Sequence, residues 1–236
     1  TNDDQALADS IADDMAEYIW RVREEYVDQQ FPMPKEAVQI TKKAIANQQT
    51  PVALGDYSDR PGDATWILSE LIDKEVGKVL YAALRDEFAL EALKEQNAQP
   101  GDLFSSKVGG ITGEQAGPAV QIDGEVLFFG PQWGYDHVAA IGFGNDNVLI
   151  ITPTYEQIIR PESLRFGPIN PDDFDVFVVK SRVHFRRGFD ETGYAKTIQV
   201  VDAPGDWFGT IRINALEYEF GPIDQLYPFN TETIDY

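Results

Sequence analysis

The chain has no cysteine, two histidines and two methionines among its 236 residues, and only 19 lysines and arginines stand against 40 aspartates and glutamates. Without cysteine there is no disulfide framework, no thiolate nucleophile and no cysteine-held zinc. The two histidines, His137 and His184, lie far apart in sequence, and neither HExxH nor His-x-Asp occurs. Carboxylates alone are plentiful as metal ligands, so this chain offers no complete metal centre. GxSxG, a Walker loop and GxGxxG are missing too; GGITGEQAGP (109–118) is glycine-rich but has neither spacing. The formal net charge of −21 speaks against a nucleic-acid partner, which normally needs a basic face. The acidic excess reads as solubility, with a cation-binding surface as its functional alternative. No apolar run approaches the ~18 residues of a membrane span, and the opening TNDDQALADS is polar and acidic, unlike a signal peptide. The expectation is a soluble, cytoplasmic protein with no membrane contact.

What is present is material for a packed core: 43% of residues are apolar and 12% aromatic, which excludes disorder. Leu7, Ile11, Met15, Ile19, Val22 and Tyr26 recur at steps of three and four, which predicts an amphipathic helix. Pro32 and Pro34 end it, and a second helix is expected over 35–47. PVALGDY (51–57) reads as a buried strand, and Asp63 stands where it could cap a helix starting at Ala64. GKVLYAAL (77–84) reads as a second buried strand, followed by a helix that Asp86 would cap. Strand, helix, strand, helix is the rhythm of a parallel α/β unit. Residues 101–153 alternate instead and predict an antiparallel meander of three to five strands. Its turns are expected at Asp123-Gly124 and around 145–147. The α/β rhythm then returns, with strands at 174–179 and 197–202 around a short helix in SRVHFRRGF (181–189). The end, 210–229, leans towards strand by its alternation. The expected fold is one α/β domain over 1–236: a mixed sheet with parallel βαβ units flanked by helices and an inserted antiparallel β-meander. Its parts are a helical segment (3–48), an α/β core (51–100 and 165–236) and the meander (101–153).

In open α/β sheets, ligands gather at the carboxyl ends of strands. Here those ends carry Asp56, Asp59 and Asp63; Arg85 and Asp86; Lys180 and Ser181; and Asp202, Gly205 and Asp206. If the ends lie side by side, they line one crevice. Each residue also has a plainer role: Asp63, Asp86 and Ser181 suit helix caps, and Pro61-Gly62 and Pro204-Gly205 suit turns. VVKSRVHFRRGF (178–189) concentrates four basic residues without an acidic one. With Ser181 as cap, His184 falls in the first helical turn, where backbone N–H groups favour an anion. Phe185 and Phe189, four apart, would pack on the sheet. Asp136 and His137 are neighbours on one strand and point to opposite faces, so they do not share a metal.

VVKSRVHFRRGF followed by VVDAPG (200–205) resembles segments in the carboxy-terminal half of the MlrC family, metallopeptidase-like proteins named for microcystinase C. Other segments follow in matching order: DDMAEYIWRVREEY, PKEAVQITKKAI, PVALGDYSDRPGDAT, LYAALRDEFALEAL and the glycine turn KVGGITG. One difference is that the turn Asp59 to Thr65 is shorter than the family's. The resemblance implies a metallohydrolase that cleaves peptide or amide bonds. It also implies that the zinc ligands (a Glu, an Asp and several His) belong to an amino-terminal domain with no counterpart in this sequence.

In that reading this domain covers the active site and positions a small peptide-like substrate, and alone it is inactive. Lys180, Ser181 and His184 would meet an anionic group, with Asp56, Asp59 and Asp63 across the crevice and Asp202 and Gly205 beside it. The expected partner is the zinc-bearing domain; a homo-oligomer stays open. The alternative is a non-catalytic domain that binds a small anion or serves as a scaffold for interactions. A third reading, a self-sufficient hydrolase built on Asp56, Asp59 and Asp206, is the weakest.

Overall fold

A computed structural model describes residues 2–26, 31–57, 59 and 61–204. These fall into two compact units, one holding the first helix and the other the sheet. Gly205, Asp206 and the expected strands beyond them lie outside the described residues.

The first unit contains α1 (Gln5–Val22), whose Asp4 side chain accepts from the Leu7 N–H at 3.0 Å and so caps its start. The predicted apolar stripe is there, and no residue of the helix is buried. None of the described helices is long and apolar enough to cross a membrane.

The second unit begins with α2 (Pro34–Ala46), where Pro34 occupies the first helical turn, a place that needs no N–H. It continues through β1 (Val52–Asp56), α3 (Trp66–Asp73), β2 (Val79–Arg85), α4 (Glu87–Glu95) and β3 (Leu103–Val108). After these come β4 (Val120–Gln132), β5 (Tyr135–Phe143), β6 (Asn147–Thr152), β7 (Val176–Val179), α5 (Arg186–Phe189) and β8 (Thr197–Val201). Together the strands make one mixed sheet in the order β3-β4-β5-β6-β2-β7-β1-β8. Strands β6, β2, β7, β1 and β8 run parallel, while β3 to β6 form an antiparallel meander that shares β6 with the parallel half. The expected mixed α/β sheet with an inserted meander is therefore the observed fold.

Strands β1, β6 and β7 are buried at every position because both faces of the parallel half are covered. On one face Leu54, Tyr81 and Val178 pack with Ala37 and Val38 of α2, Ile67 and Leu71 of α3, and Leu90 and Leu93 of α4. On the other face Ala53, Leu80 and Phe177 pack with Phe185 and Phe189 and with Ile158, Leu164 and Phe166 from the connection after β6. Both phenylalanines of the basic segment are fully buried, as their spacing implied. Gly55 is needed there, since a Cβ would collide with the Phe185 ring.

Three local expectations give way. Asp123-Gly124 is not a turn: β4 passes straight through it, with Ser105 opposite Asp123 and Phe143 opposite Gly124. Gly124 marks a close backbone approach instead, because a Cβ there would collide with the Gly142 carbonyl oxygen. The hairpin bend falls ten residues later at Trp133-Gly134, both with positive φ (54° and 84°), as a two-residue turn requires. The other turn, expected around 145–147, falls at 144–146. The second correction concerns α3, which starts at Trp66 with Thr65 before it, so Asp63 is not its cap. The third concerns 181–189, where only Arg186 to Phe189 form a helix. Ser181 still accepts the Phe185 N–H at 3.2 Å, but His184 lies in the turn ahead of the helix.

Candidate functional site

The parallel half brings the carboxyl ends of β2, β7, β1 and β8 side by side, and the residues chosen from those ends do gather there. Lys180 follows β7 and is fully buried. Its Nζ lies 2.9 Å from Asp56 Oδ2, 2.5 Å from Asp59 Oδ2, 2.8 Å from the Ala64 carbonyl and 2.9 Å from the Tyr81 hydroxyl. An ammonium has three protons to donate, so these partners satisfy it within the chain. Tyr81 in turn donates to the Ala64 carbonyl at 3.0 Å.

Asp59 organises the shortened loop. Its Oδ1 accepts from Gly62 N–H at 2.7 Å and its Oδ2 from Ala64 N–H at 2.8 Å. Asp63 faces the glycine turn, where Thr112 gives it a backbone N–H at 2.6 Å and a hydroxyl at 2.7 Å. Asp86 has two tasks: Oδ1 caps α4 through Ala89 N–H, and Oδ2 accepts from Gly109 N–H, both at 2.9 Å. Asp202 is buried after β8, and its Oδ1 accepts from Ala203 N–H at 2.9 Å.

Charge decides the chemistry of this cluster. Burial raises the Asp56 carboxyl above its ordinary range; the Lys180 charge opposes this and the Asp59 charge adds to it. Burial alone would lower the Lys180 ammonium, but Asp56 and Asp59 outweigh it and hold it well above its usual value. Lys180 is therefore a permanent cation, unsuited to act as a base at neutral pH. Tyr81 is likewise raised, first by burial, against the pull of Lys180.

Over this cluster runs residues 153–160, a strap from the end of β6 across β2 and β7. Thr152 Oγ1 donates to the Thr154 carbonyl at 2.8 Å. Tyr155 packs beside Gly62 and Arg85, and its hydroxyl donates to the Lys180 carbonyl at 2.6 Å. Gln157 Nε2 reaches Ser181 Oγ and His184 Nδ1, each at 3.2 Å. Farther on, Ile159 and Arg160 lie against Gly188. Asp56, Asp59, Asp63, Lys180, Ser181 and Asp202 are buried, whereas His184 is exposed. Arg85 stays partly exposed at the end of β2, bound to Glu87 Oε1 at 2.7 Å. His137 stacks on Phe129, with ring centroids 4.9 Å apart.

Sequence reasoning missed Tyr81, Tyr155, Gln157 and Thr112. Tyr81 had a signal, because a hydroxyl inside the apolar strand VLYAAL needs a buried partner. The other three lie in irregular segments that carry no periodic signal.

Among the described residues, no three of His, Cys, Asp and Glu gather in a way that could hold a metal ion. The carboxylates fail for a stated reason: Lys180 occupies Asp56 and Asp59, Thr112 occupies Asp63, and two backbone N–H groups occupy Asp86.

Fold and site together define a mixed α/β domain whose carboxyl-edge loops are locked by a buried aspartate–lysine–tyrosine network. The family model describing the MlrC C-terminus matches residues 54–212, and the chain belongs to that family. Among solved structures it is similar to a protein from Mesorhizobium sp. BNC1 named "Putative metallopeptidase", with a TM-score of 0.63 at 17% identity. The alignment covers 89% of this chain and 44% of that one, so the chain spans less than half of its neighbour's length. At this identity the likeness establishes the fold. No curated protein matches the chain.

Proposed function

We propose that this chain is the carboxy-terminal domain of an MlrC-like metallohydrolase that cleaves peptide or amide bonds. The observation that carries the reading is the family match over 54–212, joined to a neighbour more than twice as long that is named a metallopeptidase. In this reading the zinc ligands lie on another domain of a larger protein.

This domain's part is to present a stiff, shaped edge to the site. The Lys180 network holds Asp59 and Ala64 against β7, and the strap fixes the exposed His184 ring through Gln157. Substrate would meet the outer residues of this edge, His184 and Arg85, while Asp56, Asp59, Asp63, Ser181, Lys180 and Asp202 keep them in place from below. Holding such groups rigid matters because a misplacement of about 1 Å can cost a hundredfold in rate.

The non-catalytic reading, a scaffold or small-anion-binding domain, is favoured by one observation: the buried charges at the edge satisfy one another. The two readings separate by assay. A polypeptide joining this chain to a His- and Asp-rich amino-terminal half should carry zinc by elemental analysis and hydrolyse linear peptides. His184→Ala in it should change KM more than zinc content. Equal hydrolysis with and without this domain would leave the scaffold reading standing.

A further inference from the structure

Besides the buried lysine, the fold leaves two guanidiniums and an imidazole outside. Gly188 packs so tightly on the strap that a Cβ would stand 2.8 Å from Arg160 Cα, which brings Arg160 beside Arg187. Gln157 ties the same strap to His184 through Nδ1. Arg160, His184 and Arg187 are all exposed. Arg186 is neutralised by Asp190 at 2.7 Å, but among the described residues neither Arg160 nor Arg187 has an ion pair. Glu156, the acid nearest in sequence on the strap, accepts from the Tyr135 hydroxyl at 2.9 Å. Val183 and Ile159 add exposed aliphatic surface, 56% and 36% accessible.

In a chain of net charge −21, unpaired guanidiniums would find carboxylates easily if surface pairing were all that mattered. The fold instead holds two of them near an imidazole, with Glu156 and Asp190 bound to other groups. Arginines around a small aliphatic centre are the composition of a protein-docking surface, and carboxylates match guanidinium geometry in pairs. We propose that Arg160, His184 and Arg187 form a docking surface for a carboxylate-rich polypeptide segment. The surface does not depend on the metallohydrolase reading.

The test is a titration of the ¹⁵N-labelled chain with hexaglutamate in roughly 20 mM salt, where the screening length is about 20 Å. Amide shifts should concentrate at 158–160 and 183–188 and fade with added salt. The double variant R160A/R187A should bind about twofold to thirtyfold more weakly, the worth of two exposed charge contacts, with an unchanged melting temperature. Absent shifts, shifts elsewhere, or undiminished binding by the variant would overturn the proposal. So would inorganic phosphate or an oligonucleotide of equal charge that reproduces the shifts and displaces the peptide, since the surface would then read anions rather than acidic polypeptide.

Discussion

Replacing Lys180 with methionine keeps the length of the side chain but removes the charge that two buried aspartates share. Asp56 and Asp59 would be left without their cation, and the Ala64 carbonyl with the Tyr81 hydroxyl alone. Removing one member of a buried ion pair costs about 3–5 kcal/mol. For a unit of this size that corresponds to a fall in melting temperature of about 6–20 °C. Differential scanning calorimetry at pH 7, with urea denaturation as a second measure, reads the loss.

The pH dependence gives an independent check. Asp56 is held above its ordinary value of 3.8, and a carboxyl raised on folding favours the folded state fully below its unfolded value. That advantage is lost as pH rises through the folded value. Without Lys180 the opposing charge is gone and Asp56 rises further, so the variant's deficit should narrow as pH falls from 7 towards 4. In the parent chain Lys180 is raised above 10.5, so its contribution persists below that pH and is lost only as pH climbs through the folded value. Adding Asp56→Asn and Asp59→Asn to Lys180→Met should recover part of the loss, because the three groups act as one. A deficit below about 1 kcal/mol, or one that widens on acidification, would refute the reasoning.

Asp86→Ala removes both a helix cap and the partner of Gly109 N–H, and urea denaturation should show about 1–3 kcal/mol of lost stability. Gly188→Ala places a methyl group against the backbone of Ile159 and Arg160, and thermal melting should show about 1–3 kcal/mol of overpacking cost. Tyr194 is raised to about 12 by burial and by the Asp172 charge beside it. Ultraviolet titration should therefore find a phenol ionising later than the ordinary value of 10.0, with stability falling between those two pH values as the unfolded chain ionises first.

The strand ends were legible because the parallel half leaves a simple trace: short apolar runs bounded by Gly, Pro and Asp. VALGD, VLYAALR and VFVV were found with errors of one or two residues at their ends. That the ends would adjoin followed from the α/β rhythm, and the structure places Asp56, Lys180 and Asp202 on three neighbouring strands. What those residues do was not legible. A lysine beside a serine reads as an anion site on paper, but whether its ammonium faces solvent or two aspartates 124 and 121 positions earlier depends on packing alone. Asp63 shows the same limit, since cap geometry is local while its partner Thr112 arrives from a distant glycine turn. Asp123-Gly124 misled for the opposite reason. A dipeptide that favours turns was overruled by a neighbouring strand that needed room.

The strap also turns loop length into a functional variable. Residues 153–160 reach from β6 over the ends of β2 and β7 to Gly188, and Tyr155 fills the space beside Gly62 on the way. A few more residues would lift Tyr155 away and leave a recess floored by Tyr81 and Lys180. A few fewer would drag the Phe185 and Phe189 turn off the sheet. The length of one irregular segment thus sets what covers the buried cation, since the Tyr155 hydroxyl reaches the Lys180 carbonyl.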